Sequence, residues 1–173
     1  TASSQAKVGI AVQSVDTEAT TVKFENCRLD LAEEALTEAG TVIVEQFTQP
    51  LPASDFAAPV DVTFSITLQD EAGQEIKAPF AAPVTFQVSY DAIELPEGFT
   101  DEDLGIYWYN REGGYWERVD YCVNNTAQKT LTVTLNHFSE YKVMASKYTA
   151  PSLDSYYNMG ISPYQSYFQN NIE

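Results

Sequence analysis

Between Asp61 and Leu68 the chain alternates without exception: Val62, Phe64, Ile66 and Leu68 fall on one side, Thr63, Ser65 and Thr67 on the other. Successive side chains of a strand point to opposite faces, so a period of two predicts a β-strand with one buried face and excludes a helix. The same signature recurs. Residues 7–15 carry Val8, Ile10 and Val12 at alternate positions, and Thr41 to Phe47 is rich in β-branched residues. Pro83 to Tyr90 alternates behind a proline at its first position, where a missing N–H is tolerated. Leu131 to Leu135 and Tyr141 to Ala145 form two further strands, hinged at Asn136-His137-Phe138-Ser139.

The stretch Thr20 to Phe24 opens a strand expected to run on through Cys27 to Leu31. Ala32 to Leu36 has good helix formers but is too short for more than one turn. Asn110-Arg-Glu-Gly-Gly114 reads as a hairpin turn, which makes Trp108 and Trp116 a candidate cross-strand pair. With about 8–10 short strands and hardly any helix, the chain is expected to be all-β: an antiparallel Greek-key β-sandwich. It divides into an N-terminal strand segment, 1–19, the sandwich, 20–147, and an irregular aromatic tail, 148–173.

Nine Lys and Arg against 25 Asp and Glu give a net charge of −16, which repels nucleic acid. No apolar run reaches the roughly 18–20 residues that span a bilayer, so no membrane span is expected. The start Thr-Ala-Ser-Ser-Gln-Ala reads as a mature terminus left after cleavage, which predicts a secreted or cell-surface protein. Cys27 and Cys122 lack CxxC spacing, so a zinc site is not expected. In an oxidising compartment they read as one disulfide closing a loop of about 95 residues, contributing on the order of 4 kcal/mol. Two buried free thiols are the alternative.

Three pieces in order resemble the β-sandwich domain shared by netrin receptors, ankyrins and tight-junction zonula occludens proteins, whose microbial relatives occur in surface proteins. Leu31-Ala-Glu-Glu-Ala-Leu36 followed by Thr41-Val-Ile-Val44 is similar to that family's Ile-Pro-x-Gly-Ala-Leu and strand, with Ala32 and Glu34 in place of the Pro and Gly. Pro83-Val-Thr-Phe-Gln-Val-Ser-Tyr90 is similar to its Pro-Val-x-Ile-x-Leu-Pro-Tyr strand. Leu104-Gly-Ile-Tyr-Trp-Tyr, Gly114-Tyr-Trp and Val133-Thr-Leu-Asn-His-Phe-Ser-Glu-Tyr141 resemble its closing hairpin and His-Phe-Ser corner. The resemblance covers residues 20–146. Some members cut themselves between Phe and Ser, which implies a self-cleavage site here. Ser139 Oγ would attack the Phe138 carbonyl with His137 as general base. A purely structural corner is the competing expectation.

Multi-turnover catalysis has no motif behind it, and no cofactor is expected. Asp101, Glu102 and Asp103 are candidate calcium ligands, with a solvated acidic loop as the alternative. Trp108, Tyr109, Tyr115 and Trp116 are a candidate glycan platform, or simply core aromatics, and Asn124-x-Thr126 is formally a glycosylation sequon. The termini point to self-assembly. Val8, Ile10, Val12 and Val15 read as a donated strand completing a neighbour's sheet edge, building a homopolymer. Tyr156, Tyr157, Tyr164, Tyr167 and Phe168 would supply lateral contacts. The leading expectation is a non-catalytic extracellular structural protein, a surface or filament subunit. Autoproteolysis between Phe138 and Ser139, and a calcium- or glycan-binding module, are the alternatives.

Overall fold

The computed structural model describes residues 7–47 and 58–147. Eleven strands are present among them: β1 (Lys7–Val15), β2 (Thr20–Phe24), β3 (Cys27–Leu31), β4 (Gly40–Phe47), β5 (Ala58–Gln69), β6 (Val84–Ser89), β7 (Leu104–Asn110), β8 (Tyr115–Arg118), β9 (Val123–Asn125), β10 (Thr130–Leu135) and β11 (Glu140–Ala145). Two antiparallel sheets pack face to face, one ordered β1-β4-β5-β11-β7-β8 and the other β2-β3-β6-β10-β9. The all-β sandwich expected from the alternation is the fold.

The core is what the period of two dictates. Phe64, Ile66 and Leu68 of β5 meet Val84, Phe86 and Val88 of β6, with Leu131, Val133 and Leu135 of β10 beside them. Phe64 and Phe86 bridge the sheets edge to face, their ring centres 5.6 Å apart, and Tyr141 of β11 joins them 5.8 Å from Phe86. Residues 32–39 form turns and no helix, and Ala35 and Leu36 plug one end of the sandwich.

Three expectations are corrected here. The strand from Thr20 does not run through to Leu31: the chain reverses at Glu25-Asn26, with Glu25 in the left-handed region, and β2 pairs back on β3. Trp108 and Trp116 are not a cross-strand pair. The register sets Tyr109 opposite Trp116, 5.3 Å between rings, and leaves Trp108 facing the core. The disulfide does not form. Cys27 and Cys122 are both free, and Cys122 adjoins β9, separated from β3 by β6 and β10. Three strand spacings of about 4.8 Å put the two some 14 Å apart, twice what a disulfide spans.

Burial, and then Glu25, push the Cys27 thiol up to about 12, and burial raises Cys122 as well. Thiolate is the reactive form. Neither cysteine is therefore expected to react with a thiol reagent at pH 8 on the timescale of mixing, and both should react at once after unfolding. A thiol titration with and without denaturant checks this.

Candidate functional site

The corner Asn136–Ser139 carries the chain from the five-stranded sheet into the middle of the six-stranded one, where β11 slots between β5 and β7. Its side chains divide the work of holding that crossing. Phe138 packs on the core with its ring 4.7 Å from Phe80, edge to face. The Tyr141 hydroxyl donates to the His137 carbonyl, and the buried phenol is held well above its usual range. Ser139's carbonyl accepts from the Ile66 N–H at 2.9 Å. The exposed His137 ring stands edge-on to Trp108, 4.9 Å between centres.

The chemistry at this corner differs from the roles the resemblance implied. Ser139 Oγ donates to Glu140 Oε2 at 3.3 Å, and His137 Nδ1 lies 3.4 Å from the Phe138 carbonyl oxygen. In that arrangement Glu140 is the group placed to take the hydroxyl proton, and His137 is placed beside the oxygen of the peptide that would be cut. Glu140 also pairs with Arg111, whose guanidinium is held above its ordinary range by that bond. None of Asn136 to Ser139 lies in the left-handed region, so backbone strain of that kind is absent from the corner. A cleft of about 690 Å³ opens beside it, with Trp108, Phe138, Arg111 and Glu140 in its walls.

The other candidates fall in separate places. Asp101, Glu102 and Asp103 form a single 3₁₀ turn before β7. Asp101 pairs with Lys129, while Asp103 accepts from Lys147 Nζ at 2.6 Å and from the Thr100 N–H at 2.9 Å. The bond from Lys147 first, then that from Thr100, hold the Asp103 carboxyl below its usual range. Two of the three carboxylates are thus committed to lysines, and among the described residues no three His, Cys, Asp or Glu side chains gather into a metal site. The four aromatics of the candidate glycan platform do not share a face: Trp108 turns to the core, Tyr109 and Trp116 to the opposite side, and Tyr115 is half exposed. Asn124 uses both ends of its amide, accepting from the Tyr90 hydroxyl at 2.7 Å and donating to the Asp101 carbonyl at 2.7 Å.

The N-terminal strand is the informative one. β1 pairs antiparallel with β4 of its own chain and has no neighbour on its other side among the described residues. Its apolar set is turned the opposite way from a buried strand's: Ile10 and Val12 are 46% and 60% exposed, whereas Ala11 and the buried Val15 pack on the core. Gly9 sits where β1 crosses Phe24; a Cβ there would lie 2.6 Å from the tip of that ring, so any larger residue requires Phe24 to move. The side chain of Val8 lies outside the described set, as do Tyr156, Tyr157, Tyr164, Tyr167 and Phe168.

The free edges are unequal. β8 is four residues long and carries Glu117 and Arg118; β9 is three residues long; β2 is five and carries Lys23. β1 has nine residues, and after Lys7 none is charged. Exposed edges template pairing with other chains unless charge, proline or shortness blunts them. Among the free edges of the described residues, only β1 is long and, past Lys7, uncharged.

No protein-family model matches this chain, and no curated protein shows significant similarity to it.

Proposed function

We propose that this chain is a non-catalytic structural subunit of an extracellular surface or filament, associating with copies of itself along β1. The observation that carries the reading is the long edge of β1, uncharged past Lys7, with Ile10 and Val12 exposed along it. Main-chain hydrogen bonds along such an edge supply affinity, and the outward side chains supply register. Since β1 is already paired with β4 in its own chain, association by added edge pairing requires no unfolding. Pairing β1 with β1 about a two-fold axis gives a closed dimer, and pairing it with a different edge gives an open filament. The surface placement rests on the resemblance to sandwiches of surface proteins and on the acidic character of the chain. Light scattering and electron microscopy of the full chain over a concentration series test the association. Discrete dimers or extended polymers are the expected result, and a monomer at every concentration overturns it.

A second reading is favoured by the contacts of Ser139 and His137. In a single-turnover cut, Ser139 Oγ attacks the Phe138 carbonyl carbon, its proton passes to Glu140, and the oxyanion forms beside His137. Glu140 passes that proton on to the Ser139 nitrogen, which leaves as a free amine as the peptide C–N bond breaks and the ester forms, and water hydrolyses the ester. Mass under denaturing conditions decides. Fragments 1–138 and 139–173 would support cleavage, and one species at 19.2 kDa removes it.

A further inference from the structure

β11 starts late. Its first pairs are Glu140 with Ser65 of β5 and Tyr141 with Trp108 of β7. β5 runs on past that point to Gln69 and β7 to Asn110, with no strand between them among the described residues. Residues 74–76 turn back along β5 only, bridging Glu75 to Gln69 and donating the Ile76 N–H to the Leu68 carbonyl at 2.8 Å. The gap between that turn and the end of β7 is the cleft of about 690 Å³ beside the corner. A second cleft, of about 460 Å³, opens between residues 117–121 and the other side of the corner. Trp108 and His137 line both, so the two clefts share one aromatic wall.

The lining selects a class of ligand. Ser65, Thr67 and Ser139 bring hydroxyls to the larger cleft, and Thr134 and Asn136 bring a hydroxyl and an amide to the smaller. A wholly apolar ligand would leave such groups unpaired, which is costly. Charge in the larger cleft is nearly matched, since Lys77 pairs with Glu75 at 3.6 Å and Arg111 with Glu140, leaving Glu112. In the smaller one Arg118 stands with Glu117 and Asp120. The surplus of carboxylates opposes an anion, and the cations built into the walls oppose a cation. What fits is a neutral ligand with apolar surface for the rings and hydroxyls for the planar polar groups. A pyranose has both, C–H bonds on its faces and hydroxyls around its edge. Glu140 holds Arg111 through two nitrogens, Nε at 3.3 Å and a terminal one, so the guanidinium plane is fixed. Its further N–H donors belong to a side chain that is 64% exposed. Sites for small organic ligands run about 300–1,000 Å³, so each cleft is large enough for a short run of sugar rings.

We propose that a neutral linear oligosaccharide binds along these two clefts, crossing Trp108 and His137, with the Arg111–Glu140 pair as its hydroxyl-binding group. The site differs from the aromatic platform expected from the sequence. Trp108 and Tyr109 of that set line the larger cleft, but His137 takes the place of Tyr115 and Trp116. β1 has no part in it, so the assignment is independent of self-association.

Titration of the full chain tests it. The probes are cello-, chito-, malto- and mannotetraose, with oligogalacturonate and oligoglucosamine as anionic and cationic comparisons. In a Trp116→Phe background Trp108 is the remaining tryptophan, and its emission reports occupancy. At least one neutral tetraose should shift that emission, and should titrate calorimetrically against the unsubstituted chain with a Kd of about 1 mM or tighter. The matching monosaccharide should bind about tenfold more weakly or worse, because it cannot reach both clefts. His137→Ala and Arg111→Met, at exposed positions, should each weaken the tetraose about tenfold with the unfolding midpoint kept. Lys23→Ala, on β2, should change nothing. No response to any neutral tetraose overturns the proposal, as does binding confined to a charged oligomer. A monosaccharide as tight as its tetramer, a response only to a peptide of Ser, Thr and Asn, or binding that both variants leave intact overturns it too.

Discussion

Tyr141→Ala is expected to destabilise the protein by about 3–5 kcal/mol, the range for deleting a large buried aromatic. Tyr141 is buried at the centre of the six-stranded sheet, opposite Phe64 on one side and Trp108 on the other, with its ring against Phe86 across the core. Its hydroxyl also satisfies the His137 carbonyl at the corner. Domain stabilities run about 5–15 kcal/mol, so the loss would take roughly a fifth of the total or more. Tyr141→Phe keeps the ring and removes the one bond, and should cost about 1–2 kcal/mol. Urea unfolding of both variants separates the contributions. A Phe variant as costly as the Ala one would move the role from the ring to the hydroxyl.

The second large effect is expected at the edge. Ile10→Lys with Val12→Lys should leave unfolding free energy within about 0.5 kcal/mol, because both side chains are exposed in the monomer. It should weaken self-association at least tenfold, which corresponds to about 1.4 kcal/mol, since each copy brings like charges to the same seam. Val123→Lys, at another exposed apolar position, on the three-residue edge β9, is the control and should change nothing. Sedimentation of the three proteins reads the result. If Val123→Lys disperses the assembly and the β1 variant does not, the seam lies on the five-stranded sheet.

The sandwich was legible because its two faces impose the alternation that β5, β6 and β10 display residue by residue. The same rule misled at β1. Val8, Ile10 and Val12 read as one apolar face for a neighbour's sheet, yet the strand lies on its own β4, with Gly9 against Phe24 and Ala11 on the core, and Ile10 and Val12 are left outside. The glycine was the signal: a strand interior glycine marks close approach of another group. The disulfide failed for a different reason, since separation along the chain says nothing about which strands come between two cysteines. At the corner, the His-Phe-Ser triplet located the crossing, but Glu140 as partner of Ser139 is a matter of rotamer and register that no spacing encodes.

The last strand of the described chain is also the one that joins the halves of its sheet. β11 is flanked by β5 and β7, so without it β1-β4-β5 and β7-β8 have no shared ladder. A ribosome must therefore deliver the chain through Ala145 before the larger sheet can close, and until then the β5 and β7 edges stand open together. Folding that waits on such distant pairings is slow, in the millisecond-to-second range for sandwiches. The His-Phe-Ser corner, which leads into β11, is then the final stitch of the larger sheet.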